Sequence, residues 1–525
     1  MGLIQQVNTL AGLLPAVSNS YGTKTALIIE NEETTYQELD SQSNRIANAM
    51  VRDGVLPGDR VALLGKDSLD SVRVLFGAAK CKAVFVNTNW RLADEEIVYI
   101  LRDAAPKILF VDLEFARILP KISESFATTP KIVVLSDSPT EHVSFTDWCD
   151  PEDGSAPGLD HRPDDVVAQI YTSGTTGHPK GVRLPSSSFF AIVREMEAVG
   201  DPWIGWTDAT VSLLCVPTFH VAGLWQLVRG LAQGSTNILM RNFDPAAILR
   251  IIPQHRVTIT GMVPAMIQVV LAEPGCMSVD FSSLETLVYG GSPISRELLE
   301  RGMATLGCDF CQIYGMTETG NMAVCMRPED HREADAKRLR AAGRPLPGVE
   351  VLIQDLYGNN VSTGEVGEIS IKSPARMIGY WNLPEATQET LVDGWVRTGD
   401  AGYKDEAGFI YVCDRIKDMI ISAGENIYPV EIENVIRTHV SVADVAVIGV
   451  PDDLWGEAVK ALVVRKPGSD VRTTDIIRYT RAHLAEFKVP KSIEFVHQLP
   501  RNASGKILKM NLRGPYWENR QRQIN

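Results

Sequence analysis

Tyr171-Thr-Ser-Gly-Thr-Thr-Gly-His-Pro-Lys-Gly-Val182 follows an apolar, β-rich run at 166–170, and its reading decides the fold. Three glycines, four short hydroxyl side chains and one lysine stand within these 12 residues. Glycine lets backbone N–H groups turn toward an oxyanion, hydroxyls add donors, and the lysine adds charge. A loop of that chemistry after a strand is an anion cradle, with Thr172, Ser173, Gly174, Thr175, Thr176 and Lys180 as candidate contacts. It is not a Walker A loop: Gly181 stands where Ser or Thr would follow the lysine, and Pro179 interrupts a helix start. A glycine-rich surface turn is the plain alternative, and it leaves the hydroxyl density unexplained.

Upstream, β-rich runs alternate with helix-period stretches. The clearest helix spans 35–54: Thr35 and Glu38 form a capping box, Leu39, Ile46 and Met50 share one face, and Gly54 suits the C′ position. Strands are expected at 60–64, 83–86, 108–111 and 132–135, and further apolar runs lie at 211–216, 237–240, 257–260 and 284–289. Apolar strands separated by helices need both sheet faces covered, which predicts an α/β fold with parallel-dominated sheets. After about residue 345 the pattern changes to strands joined by glycine turns (350–354, 368–372, 409–412), a small β unit. From about 417 the chain reads as α+β: Pro429 opens a helix, 443–450 and 458–464 are strands, and 475–485 is a helix.

Composition bounds the function. The 525 residues are 45% hydrophobic and 22% charged, an ordinary globular balance that excludes disorder and fibrous repeats. No apolar run approaches the roughly 18 residues needed to cross a bilayer. The first charge is Lys24, which predicts no signal peptide, and Gln6 stands where myristoylation after Met1-Gly2 needs Ser or Thr. A net charge of −14 argues against nucleic acid as a partner. Residues 417–525 nevertheless carry a net +3, leaving −17 on the rest. A small cationic domain on an acidic body suits a polyanionic small ligand, and uneven surface composition is the plain alternative. The eight cysteines are read as buried free thiols in a reducing cytoplasm.

Four further stretches carry chemistry. Gln312-Ile-Tyr-Gly-Met-Thr-Glu-Thr319 offers an aromatic face, a glycine, hydroxyl donors and one carboxylate suited to a hard divalent cation. Gly290-Gly291-Ser292-Pro293 follows a strand, and a plain strand-to-helix turn is its even alternative. Arg397-Thr-Gly-Asp400 and Asp414-Arg415-Ile416-Lys417 carry charges that are either ligand contacts or solvated surface groups. Pro500-Arg-Asn-Ala-Ser-Gly-Lys-Ile507 sets Lys506 after a Ser-Gly turn, where a lysine can deliver a point charge and be withdrawn.

With these landmarks in order over nearly its whole length, the chain resembles the adenylate-forming superfamily. Asn89-Trp-Arg-Leu92, Phe219-His220 and 417–429 (KDMIISAGENIYP) make it most similar to the bacterial fatty-acyl-CoA ligases of the acyl-CoA synthetase branch. The resemblance implies an N-terminal adenylate-forming domain over 1–413, a hinge at 414–417 that includes Lys417, and a small mobile C-terminal lid over 418–525. It implies that the 172–180 loop holds phosphates, Gly290, Gly291 and Ser292 flank adenine, and Tyr314 and Gly315 form its stacking face. Thr317 would contact the α-phosphate, Glu318 would help hold Mg²⁺, Asp400 and Arg415 would take the ribose, and Lys506 would be the catalytic lysine of adenylation. His220 would gate a tunnel to the thiol, with a backbone-satisfied core histidine as the rival, and Gly424 would let pantetheine pass. Two positions depart from the family pattern: Arg-Leu-Pro-Ser-Ser-Ser at 183–188, which disturbs the helix expected after the loop, and Ala423 beside the tunnel.

The activity so implied joins a carboxylic acid to coenzyme A with ATP and Mg²⁺, through an acyl-adenylate, pyrophosphate and AMP. Val221, Leu224, Met262, Val263 and Met266 are either an apolar acyl pocket or plain core. A medium- or long-chain fatty acid is the main reading and an aryl or cinnamate-type acid the alternative. An amino-acid adenylation domain, a luciferase-type oxygenase and a non-catalytic acyl-nucleotide sensor are the other classes. A cytoplasmic location is expected, and a homodimer is left open.

Overall fold

The computed structural model describes residues 7–136, 141–150, 152–172, 178–201, 205–333, 335, 337–355, 357–422, 425–452, 454–501 and 507–518, with the backbone alone at 417, 425 and 426. Two large sheets dominate the N-terminal two-thirds. One has nine strands, in the order Arg344–Pro345, Val324–Met326, Asp309–Tyr314, Thr286–Gly290, Ile259–Met262, Val211–Leu214, Thr236–Leu239, Thr25–Ile29 and Glu32–Thr35. Its six central strands are parallel, and antiparallel strands close both edges. The other has eight strands, parallel from Val166–Thr172 through Val84–Thr88, Arg60–Leu64, Ile108–Asp112 and Lys131–Leu135 to Val143–Ser144. Lys180–Pro185 and Gly379–Tyr380 continue it antiparallel.

The parallel-dominated α/β architecture follows from the run of apolar side chains. Val84–Thr88 and Ile108–Asp112 are buried along their whole length, as strands covered on both faces must be. The helix Tyr36–Arg52 starts where the capping box predicts: Thr35 Oγ1 accepts from Glu38 N–H (3.2 Å) and Glu38 Oε2 accepts from Thr35 N–H (2.8 Å). Two expectations need correction. The strand read at 257–260 lies at Ile259–Met262, because Val257 N–H still bonds Ile252 O and closes the preceding helix through Arg256 at φ +50°. The eight cysteines are free, as expected, but Cys149, Cys308 and Cys413 are half-buried rather than buried.

A five-stranded sheet follows, in the order Glu350–Gln354, Gly367–Lys372, Trp395–Lys404 and Leu391–Val392, with Ile410–Arg415 paired antiparallel to Trp395–Lys404. The C-terminal region is α+β. Gly456–Arg465 and Val442–Asp452 form a long hairpin, joined by Ile420–Ser422, Glu425–Ile427 and a parallel Ser492–Phe495. Helices Pro429–Arg437 and Thr473–Arg481 bring Ile432, Ile436 and Ile476 into a core with Val445, Val447 and Val463. By contacts the chain divides into two compact units: Met1–Val351 with Ile371–Arg397, and Leu352–Ser370 with Thr398–Asn525. That division falls upstream of the 414–417 segment expected to be a hinge. Among the described residues no helix is long and apolar enough to cross a membrane.

Candidate functional site

In the first unit the glycine-rich loop joins two antiparallel strands rather than opening a helix. Thr172 faces Lys180 at the mouth of this hairpin. After it the chain runs as strand Lys180–Pro185, a short 3₁₀ turn and only then helix Ala191–Ala198. The helix expected after the loop is therefore displaced, because Pro179 and Pro185 favour extended backbone beside them. Ser173, Gly174, Thr175 and Thr176 lie outside the described residues.

The third segment that meets these shoulders is the Thr317–Thr319 turn, placed by the end of strand Asp309–Tyr314. Glu318 is only 4% exposed, and its Oε1 accepts from Tyr380 Oη at 2.8 Å and from Thr172 Oγ1 at 3.5 Å. Tyr380 sits in the strand that pairs with Val182, and Lys180 Nζ lies 5.0 Å from the centre of its ring. Burial and the Glu318 carboxylate push the Tyr380 phenol far up, so it remains a donor. Thr172, Lys180, Glu318 and Tyr380 thus converge from three separate segments into one polar cluster. The sequence reading missed Tyr380; the signal was the aromatic pair Tyr380-Trp381 in an otherwise loop-like stretch.

Gly290, Gly291, Tyr314 and Gly315 stand at the C-terminal ends of two adjacent parallel strands, with Gly290 level with Ile313. This is the edge where open α/β sheets bind ligands. A Cβ on Gly290 would come within 2.5 Å of Ile313 O, and one on Gly315 within 2.0 Å of Asn321 O. Both glycines are demanded by the protein's own backbone, which holds the strand ends close. Gly291 has φ +79° and turns the chain toward half-buried Ser292.

His220 ends the loop after strand Val211–Leu214 and caps helix Val221–Ala232 with extended backbone. Its ring lies 4.6 Å from that of Phe219, and the Arg91 guanidinium lies 5.8 Å from the Phe219 ring. Burial and the Arg91 charge pull His220 down to about 4, so it is neutral at pH 7. Behind it, Thr218 donates through both N–H (3.1 Å) and hydroxyl to the buried Asp67, and Asn87 Nδ2 donates to Thr218 Oγ1 at 2.9 Å. Asn87 comes from the other sheet and Asp67 from the loop after its strand Arg60–Leu64, and no local pattern announced them. Of the acyl-pocket candidates, Met262 and Met266 pack in the core beneath the nine-stranded sheet.

In the second unit Asp400 and Arg415 are directly opposite on neighbouring strands, and Arg415 Nε meets Asp400 Oδ1 at 2.6 Å. Asp414 is buried, accepts from Val430 N–H at 2.9 Å, and is pushed up to about 6 mainly by burial. Lys417 lies in the one-turn Ile416–Asp418 segment; its side chain, Gly424 and Lys506 lie outside the described residues.

A family model described as AMP-binding enzyme matches residues 14–381, and one described as AMP-binding enzyme C-terminal domain matches 431–506. The chain belongs to the AMP-binding enzyme family. Its similarity to a fatty acid–[acyl-carrier-protein] ligase, ScoC of Streptomyces coeruleorubidus, is 44% identity over 99% of each chain. A feruloyl-CoA synthase of an Amycolatopsis species is 38% identical over 91% of this chain and 93% of its own. The crystal structure of the anthranilate CoA ligase AuaEII with anthranoyl-AMP superposes at TM-score 0.87, with 27% identity and 97% of each chain covered. This AMP-binding enzyme is therefore an AMP-forming acid–CoA ligase of the acyl-CoA synthetase branch, using ATP and coenzyme A, as its motifs imply.

Mg²⁺, typical of AMP-binding enzymes, fits the donor set. One buried carboxylate beside a threonine hydroxyl suits an ion that keeps waters and takes its remaining ligands from phosphates.

The buried Asp67 makes a pH prediction. Burial pushes it up to about 6, despite the Thr218 bonds and nearby Arg91 and Arg241. In the unfolded chain an aspartate loses its proton near pH 4, so between about pH 4 and 6 the native state holds the extra proton. Stability then falls as pH rises through that window, by up to about 1.4 kcal/mol per pH unit, and levels off above it. Asp67→Asn is expected to remove this slope. Thermal midpoints of both proteins measured from pH 4 to 7 should diverge within the window; parallel curves would show that Asp67 ionises normally.

Proposed function

We propose that the chain activates a medium- or long-chain fatty acid on the first unit's strand-end site and transfers it to a thiol. A carboxylate is a poor electrophile, because attack on it must expel an oxide-like group. Attack by the carboxylate oxygen on the α-phosphorus of ATP forms the acyl–O–P bond and breaks the P–O bond to pyrophosphate. Charge grows on phosphoryl oxygens, so preplaced donors and cations provide most of the acceleration. The observation that carries this reading is the convergence of Thr172, Lys180, Glu318 and Tyr380 at the loop's mouth. Lys180 and the loop would bind phosphates, and Tyr314 would stack on adenine. Thr317 would meet the α-phosphate, and Asp400 with Arg415 would hold the ribose. Glu318, oriented by Tyr380, would hold Mg²⁺, which when bound neutralises phosphate charge. Thiol attack on the acyl carbon then releases AMP, with neutral His220 as the gate and Gly424 beside the pantetheine.

The fatty-acid reading is supported by the ScoC similarity over both full lengths and by apolar Val221 and Leu224 after His220. An aryl acid is the second reading, favoured by the feruloyl-CoA synthase and anthranilate CoA ligase matches. The ScoC match also makes a carrier-protein pantetheine an alternative acceptor to CoA. AMP release with ATP, Mg²⁺, CoA or acyl-carrier protein, and a panel of aliphatic and aryl acids tests all three. Turnover confined to aryl acids overturns the fatty-acid reading, and ADP release overturns the mechanism.

Two steps with different acceptors need a lid used twice, with 414–417 as its hinge and 418–525 as the moving part. Lys417→Pro is expected to leave ATP–pyrophosphate exchange within about threefold and to slow thioester formation at least tenfold, since proline fixes φ there. Equal turnover in the two half-reactions, unchanged from the parent chain, would remove the hinge.

A further inference from the structure

Away from the strand-end site, the first unit holds a cavity of about 230 Å³ walled by Val193, Met196 and Glu197 of helix Ala191–Ala198, by Trp206, and by Arg229 and Gln233 at the far end of helix Val221–Ala232. Arg229 is 6% exposed and Trp206 7%, yet among the described residues Arg229 Nε and Nη1, Trp206 Nε1 and Glu197 Oε2 are buried without a hydrogen-bond partner. Buried polar atoms are nearly always satisfied, so four orphans lining one cavity mark it as a place where a polar group can bind. The guanidinium lies 6.0 Å from the Trp206 ring centre. Burial draws Arg229 down only to about 10, so it is charged at neutral pH.

The charges determine what fits. Glu197 offsets Arg229, and Asp201, also on the cavity wall, is paired with Arg327 at 2.9 Å. A phosphate or carboxylate would add net charge to a balanced site, and a hydrocarbon would leave the orphans unmet. We infer that this cavity binds a neutral oxygenated group, a hydroxyl or carbonyl, that accepts from Arg229 and Trp206 and, when it carries a hydrogen, donates to Glu197. Two sources share that chemistry: a free small alcohol or amide, and the oxygenated far end of the acyl group being activated. The second rests on the fatty-acid reading above. Arg229 lies nine residues beyond His220 on one helix, about 13 Å at 1.5 Å per residue, a span suited to a medium-length chain.

The test has two arms on the full chain. One compares kcat/KM for 10-hydroxydecanoic and decanoic acids by AMP release; the other titrates 1,4-butanediol by calorimetry. For an acyl source, the hydroxy acid is expected to be preferred about tenfold or more, and Arg229→Met to bring the ratio near one. For a free ligand, the ratio is near one in both proteins, and 1,4-butanediol binds saturably to the parent chain but not to Arg229→Met. Trp206→Phe, which keeps an aromatic ring and removes the N–H, is expected to lower the relevant signal at least threefold and serves if Arg229→Met does not fold. An equal ratio with no saturable heat means the cavity holds water only and overturns the inference. If neither acid releases AMP, the fatty-acid reading fails alone, and the diol titration decides the cavity.

Discussion

Lys506→Ala is expected to lower ATP–pyrophosphate exchange by about 10²–10³-fold, the usual effect of deleting one group that meets developing charge. Lys506 follows Ser504-Gly505 in the sequence stretch 500–507. As the proposed catalytic lysine of adenylation, Lys506 would act only in the step in which a carboxylate and a phosphate, both anionic, are forced together. Thioester formation from supplied acyl-adenylate has no such encounter, and is expected to stay within about threefold of the parent. The two half-reactions are measured separately, by isotope exchange and by single-turnover thioester release. Equal loss in both would mean that Lys506 supports the fold or the thiol step, and the division of labour between the two steps would fall.

Glu318→Gln is expected to cost about 10²-fold in adenylation and to raise the Mg²⁺ concentration for half-maximal rate. Glutamine keeps an oxygen acceptor for Tyr380 Oη, so the turn survives, while the charge that attracts a hard cation is removed. The thermal midpoint should move little, because removing a buried charge relieves desolvation while one hydrogen bond persists. Tyr380→Phe separates orientation from charge: it leaves the carboxylate intact but deletes the nearer of its two hydroxyl donors. About a tenfold loss, with a smaller change in Mg²⁺ requirement, is expected. Full activity of Glu318→Gln at unchanged Mg²⁺ would exclude this carboxylate from the metal site.

Much of the fold was legible because burial leaves a one-dimensional trace. The strand Ile108–Asp112 is apolar because both its faces are covered, and Thr35 with Glu38 marks a helix start through bonds only three residues apart. The motifs of the site were legible for the same reason: Thr172 to Lys180 and Tyr314 to Glu318 are each contiguous. Strand edges shifted by a residue or two where a cap, such as Arg256 in the left-handed region, outweighed apolar pattern. Prolines 179 and 185 made a strand where a helix was expected.

By itself the sequence determined the element types, the parallel-dominated layers and the residue chemistry offered to a nucleotide, since each depends on short-range periodicity or on a contiguous motif. Only the tertiary structure decided which groups meet. Tyr380 reaches Glu318 across 62 positions, Thr218 reaches Asp67 across 151, and Asp400 faces Arg415 through strand register. The orphaned donors around Arg229 likewise depend on how two helices and a loop enclose a space. The physical reason is that hydrogen bonds and charges act over a few ångströms in space, while nothing in local propensity encodes a partner that is distant along the chain.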